Sequence, residues 1–158
     1  MVGKSNYLKN ELMTRIADLV QAFQNATDEV DDAVSARLGL NRTDLRCLSV
    51  LARSGPAAPS ALAAAAGLTR GAITTALDRL EDGGYTKRTA DPQDRRGLRI
   101  QLTERAQQQI GTLYAPMAKE GETFLRKYTR QELTAVVKFL VDGERLQRAH
   151  AQRIRELR

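Results

Sequence analysis

Between residues 60 and 103 the apolar pattern changes from a helical period to a strand period, which restricts this chain to few folds. Residues 60–66 are alanine-rich and close at Gly67, and Thr69 then caps a second segment that runs to about Asp82. Gly83-Gly84 ends that segment, since paired glycines give the backbone conformations that stop a helix. Beyond them residues 85–89 read as extended, and Asp91-Pro92-Gln93-Asp94 reads as a turn. Leu98, Ile100 and Leu102 then alternate with Arg99 and Gln101, the period of a half-buried strand. A short helix, a tight glycine turn, a second helix and a hairpin together predict a winged helix-turn-helix. Ala63, Ala64 and Gly67 supply the small side chains that two closely crossing helices need.

The flanks are helical. Leu8, Leu12, Ile16, Leu19, Phe23, Ala26, Val30 and Val34 recur in steps of three and four, so they share one face of a long helix that Leu38-Gly39 ends. Asn41 is a good N-cap for a second helix, with Asp44 near its positive end and Leu45, Leu48 and Leu51 as its buried side. Ser54-Gly55-Pro56 and Pro59 stop it. Downstream, Thr103 caps a helix that Pro116 interrupts, and Thr129-Arg130-Gln131-Glu132 is a capping box before a final helix carrying Leu133, Val136, Val137 and Leu140. The predicted fold is mainly α with a small β-hairpin wing. Residues 1–38 form an N-terminal dimerisation helix, 39–103 a winged helix-turn-helix, and 104–158 C-terminal dimerisation helices.

The second helix of the motif can be read by angle, at about 100° per residue. Ile73, Leu77 and Leu80 cluster as core, whereas Gly71, Thr75, Asp78 and Arg79 face away and Arg70 and Thr74 flank the first turns. The start of such a helix meets base edges in the major groove of DNA. Arg70 suits guanine acceptors or phosphate, and Thr74 and Thr75 suit hydrogen bonding or contact with a thymine methyl. Gly71 admits close backbone approach, Arg79 suits phosphate, and Ser60 joins the candidates from the preceding helix. Asp94, Arg95 and Arg96 lie at the hairpin turn, with Lys87, Arg88 and Arg99 on its strands. An arginine-bearing β-tip fits the narrow minor groove, where negative potential is strongest. The acids Asp91 and Asp94 look out of place there unless one of them, Asp94 by preference, pairs with a nearby arginine and sets its direction.

Composition narrows the function further. A formal net charge of +6 favours an anionic partner, and with 4% aromatic residues and no tryptophan there are few rings to stack on single-stranded bases. One cysteine and one histidine provide neither a thiolate–imidazole pair nor a zinc cluster, and no phosphate-cradling glycine loop is present. The chain is therefore not expected to be an enzyme, to need a cofactor, or to bind a metal. Cys47 lies among Leu45, Leu48 and Val50, which predicts a buried structural thiol, and His150 sits in a basic surface tail. No apolar run approaches the roughly 20 residues that cross a bilayer, so no membrane association is expected and the cytoplasm is the expected location.

The run Asp94-Arg95-Arg96-Gly97-Leu98-Arg99-Ile100-Gln101-Leu102-Thr103 resembles the D-x-R-x-x-x-x-x-L-T signature of the MarR family of transcriptional regulators. Residues 77–85 resemble that family's recognition-helix end, and Asp91-Pro92 its approach to the wing. Ala106 departs from the glycine that members often carry there. The resemblance implies a homodimer joined by its terminal helices, which binds a palindromic duplex operator. It makes Asp94 and Arg96 the wing's salt-bridge and minor-groove pair. It further implies a repressor whose DNA affinity is modulated by a small aromatic or amphipathic effector. A winged-helix adaptor for protein partners is the alternative; it would show no salt-dependent duplex affinity and would carry a more apolar recognition face.

Overall fold

In the computed structural model four helices begin where a capping side chain accepts from a free N–H group of the first turn. Residues 2–91 and 97–157 are described, of residues 2–7 the backbone alone. The order is α1 (Val2–Leu38), α2 (Arg42–Ser54), α3 (Pro59–Ala66), α4 (Arg70–Asp82), β1 (Thr86–Ala90), β2 (Leu98–Leu102), α5 (Glu104–Leu125) and α6 (Arg130–Glu156). Asn41 Oδ1 accepts from Asp44 N at 2.9 Å, and Thr69 Oγ1 accepts from Ala72 N at 3.2 Å. Thr103 Oγ1 accepts from Ala106 N at 3.2 Å, and the Thr129/Glu132 capping box is complete. Each such cap contributes about 1 kcal/mol. Gly39 and Gly67 end α1 and α3 with positive φ, at 67° and 65°, a region L residues avoid.

Pro59 differs from the expectation. It does not stop α2 but opens α3 at its first turn, where its missing N–H would have had no partner anyway. α5 continues as one helix through Pro116.

The chain packs as two units, residues 1–111 and 112–158. In the first, Leu45, Cys47, Leu48 and Leu51 of α2 are buried with Leu62 and Ala66 of α3, Ile73, Ala76, Leu77 and Leu80 of α4, and Ile100 and Leu102 of β2. β1 and β2 pair antiparallel with Thr86 opposite Leu102 and Ala90 opposite Leu98. The period-two reading holds at Ile100 and Leu102, while Leu98, near the loop end, is exposed. A short third contact braces the middle of β2: Ala57 and Ile100 exchange N–H···O bonds of 3.0 and 2.8 Å. In the second unit, α6 buries none of its residues. Among the described residues, no helix is long and apolar enough to cross a membrane.

Candidate nucleic-acid interface

The site is built on α4 because its two faces differ in chemistry. Ile73, Ala76, Leu77 and Leu80 anchor one side in the core, so Arg70, Gly71, Thr74, Thr75, Asp78 and Arg79 are left exposed on the other. The angular reading of this helix from sequence therefore holds. Thr74 Oγ1 donates to Arg70 O at 3.0 Å, and Thr75 Oγ1 donates to Gly71 O at 3.2 Å. A Cβ added at Gly71 would meet nothing within 4 Å, so the space above that residue is open. Ser60 is exposed in the first turn of α3.

The acids on and around this face are matched by arginines. Arg88 of β1 reaches back to α4, where Nη2 donates to Asp78 Oδ1 at 2.6 Å and Nη1 pairs with Glu81. These carboxylates hold the Arg88 guanidinium's pKa above its ordinary value, Asp78 most of all. Asp44, 3% exposed, receives Arg79 in a two-point pair, Nη2···Oδ1 2.6 Å and Nε···Oδ2 3.1 Å. The hydrogen bond to Asp44 likewise raises the Arg79 pKa. Arg79, expected to suit phosphate, has its guanidinium engaged by Asp44 of α2, with 46% of the side chain still exposed.

On the hairpin, Arg99 Nε lies 2.9 Å from Asp91 Oδ2, and Asp91 N donates to Gly97 O at 2.9 Å across the base of the loop. An acid of this loop does pair with a nearby arginine, and among the described residues that pair is Asp91 with Arg99. Asp94, Arg95 and Arg96 lie outside the described residues, as do Pro92 and Gln93.

Sequence reasoning missed the joints that hold the lobe together. Tyr85 Oη donates to Leu38 O at 2.6 Å, tying the start of the hairpin to the end of α1. Arg42 joins α2 to α1 through Asp32 at 2.7 Å and Asp28 at 3.3 Å. A tyrosine after a glycine pair and acids one helical turn apart on α1 were the available signals; the partners are too distant in sequence for periodicity to pair them. Cys47 is fully buried as expected, and burial, with Asp44 close by, pushes its thiol up to about 11. A recess of about 360 Å³ opens between the end of α2, β2 and the first turns of α5, lined by Leu51, Pro56, Gln101, Leu102, Gln107 and Ile110 among others.

Residues 40–98 match the MarR family. The HTH-type transcriptional regulator YcgE of Bacillus subtilis (strain 168) is 28% identical over 148 residues, 94% of this chain and 96% of its own length. The crystal structure of transcriptional regulator PA4135 is 25% identical with a TM-score of 0.59, covering 82% of this chain and 95% of that one. NadR, solved in complex with 4-hydroxyphenylacetate, shares the fold at 19% identity with a TM-score of 0.62, over 80% of this chain and 89% of its own. YcgE and PA4135 are both named as transcriptional regulators. The helix–turn–helix, the hairpin behind it and these similarities agree: residues 40–98 are similar to the winged helix-turn-helix of MarR-family transcriptional regulators.

Proposed function

We propose that the protein is a homodimeric, sequence-specific binder of duplex DNA and acts as a repressor that a small effector releases. The observation that carries this reading is the exposed polar face of α4, whose acid Asp78 is bound by Arg88 of the adjoining strand. That pairing offsets the Asp78 charge that would oppose phosphate. In this reading Arg70, Gly71, Thr74 and Thr75 enter the major groove, while Ser60 and the exposed part of Arg79 approach phosphates. Arg95 and Arg96 reach the minor groove, and Asp94 orients Arg96. The formal net charge of +6 supports an anionic partner.

Dimerisation is supported by apolar residues that the single chain leaves in solvent on α1 and α6. Two-fold symmetry then places two recognition helices on a palindrome about one DNA turn apart. For the effector, the recess beside Leu51, Pro56 and Ile110 has a volume suited to a small amphipathic molecule. NadR has been solved with a small aromatic acid bound, which supports an effector of that class.

Titration of duplex DNA at several salt concentrations tests the reading. Binding should weaken steeply as salt rises, because each neutralised phosphate releases counterions. Arg96→Ala should lose most of the affinity and reduce the salt slope by about 1 for each wing. Equal binding and equal slope in that variant would remove the wing from the interface.

A further inference from the structure

The chemistry of the first two turns of α4 goes beyond general DNA binding, and the inference below rests on the DNA-binding reading above. Arg70 and Thr74 are four residues apart, as are Gly71 and Thr75, so each pair forms a column along the exposed face. A hydroxyl has one proton to donate. Thr74 and Thr75 both use theirs within the helix, on the carbonyls of Arg70 and Gly71. Toward a ligand, each threonine therefore offers an acceptor and a methyl group and no donor. The β-branch and the internal bond together hold each side chain in one rotamer. Asp78, farther along the same face, has its Oδ1 bound by Arg88. Arg79 is committed to Asp44. Arg70, exposed at the first position of α4, is then the strong donor of these two turns among the described residues.

Base pairs differ in what they show such a surface. In the major groove an A·T pair presents both an amino donor, adenine N6, and a methyl, that of thymine. A G·C pair presents an amino donor without a methyl, and its two acceptors, N7 and O6, lie side by side on guanine, where they suit arginine. From this complementarity we infer that α4 reads a half-site of one G·C pair beside A·T pairs, with the guanine facing Arg70 and thymine methyls packed on the methyls of Thr74 and Thr75. Thymine methyls, rather than hydroxyl hydrogen bonds, set the discrimination at those two positions.

The test begins by selecting bound duplexes from a random pool with the full-length protein. In the selected site each thymine is then replaced by deoxyuridine, which removes the methyl and leaves base pairing intact. Two of these replacements per half-site should weaken binding about fourfold each, the effect of exposing one methyl-sized group. Thr74→Ser and Thr75→Ser, which keep the hydroxyl, should each erase the deoxyuridine effect at one thymine. Thr74→Val and Thr75→Val, which keep a methyl, should preserve it. Circular dichroism confirms that α4 is intact in each variant. A selected half-site without A·T pairs, thymines insensitive to deoxyuridine, or an effect undiminished in both serine variants would overturn the inference while leaving DNA binding in place. Failure of the wild-type protein to enrich any duplex would overturn the DNA-binding reading, and this inference with it.

Discussion

Any helical projection puts Arg79 on the outer side of α4, yet its guanidinium closes on a carboxylate that is almost wholly buried. A buried carboxylate is tolerable only with a hydrogen-bonded partner, and Asp44 receives two bonds from Arg79 across 35 residues of chain. Removing the arginine leaves Asp44 stranded, whereas removing the acid leaves a half-exposed arginine that water can solvate. Arg79→Ala should therefore destabilise more than Asp44→Ala, and the double variant should be more stable than Arg79→Ala. Urea unfolding of the three variants measures this, and strict additivity of the two single changes would remove the pair as a structural unit. Gly71 offers a complementary case. The fold has open space at its Cβ, so Gly71→Ala should leave stability unchanged or raise it by up to about 1 kcal/mol, the helical preference of alanine over glycine. The same change should weaken duplex binding, because the added methyl would stand between α4 and the groove. Cys47 titrates only in the unfolded chain until about pH 11. Its folded pKa lies above the ordinary value of 9.0, so its contribution is whole below pH 9 and is lost as pH rises from there to about 11. The stability advantage of the wild type over Cys47→Ala should shrink across that range by on the order of 2–3 kcal/mol, since each pKa unit is worth about 1.4 kcal/mol. Parallel stability curves for the two proteins would contradict it.

At the scale of elements, what could be read from the sequence was what is local. Asn41, Thr69, Thr103 and Thr129 each announce a helix start by a hydrogen bond spanning three residues, and all four caps are in place. The period change at Tyr85 marks the hairpin because pleating imposes alternation on any strand with one buried face. What joins elements was not legible. Arg88 was read as a strand cation and turned out to bind Asp78 and Glu81 of α4. Ionic pairs of this kind depend on which faces meet, and that follows from packing, not from spacing. The bridge between Ala57 and Ile100 escaped notice for the same reason: a stretch flanked by Pro56 and Pro59 carries no alternation. Its mechanical role can be tested. Ala57→Pro deletes the N–H that donates to Ile100 O at 3.0 Å and leaves that acceptor without its partner in the middle of β2. It should lower stability by about 1–3 kcal/mol, the cost of an unsatisfied buried group. Amide exchange should then quicken along β2 more than along α2. Uniform exchange would mean that the wing stands without this bridge.

For the molecule as a whole, the distribution of apolar surface is the dominant physical fact. Leu8, Leu12, Ile16, Leu19 and Phe23 follow one stripe of α1 and are exposed, Phe23 by 71%. On α6, Val136, Val137, Leu140, Leu146 and Ile154 are exposed as well, and Glu132 and Thr129 cap a helix that buries nothing of its own. Helices of this length and pattern draw most of their stability from packing an apolar face, and a monomeric protein rarely leaves so much of it in water. In the proposed homodimer a second copy of the chain would cover both helices, because two-fold symmetry gives each stripe an equivalent partner stripe. A charge placed in such a contact must be desolvated on association, at a cost of several kcal/mol. Phe23→Glu and Val137→Glu should each raise the dimer dissociation constant on the order of a hundredfold or more, measured by sedimentation equilibrium. The buried core of the winged unit includes neither residue, so the cooperative unfolding of that unit should persist in both variants. Because a palindrome rewards two linked recognition helices, duplex affinity should fall together with dimerisation and recover partly at high protein concentration. An unchanged sedimentation profile in both variants would assign these faces to another partner, and the loss of DNA binding without loss of the dimer would separate the two properties that the fold is proposed to couple.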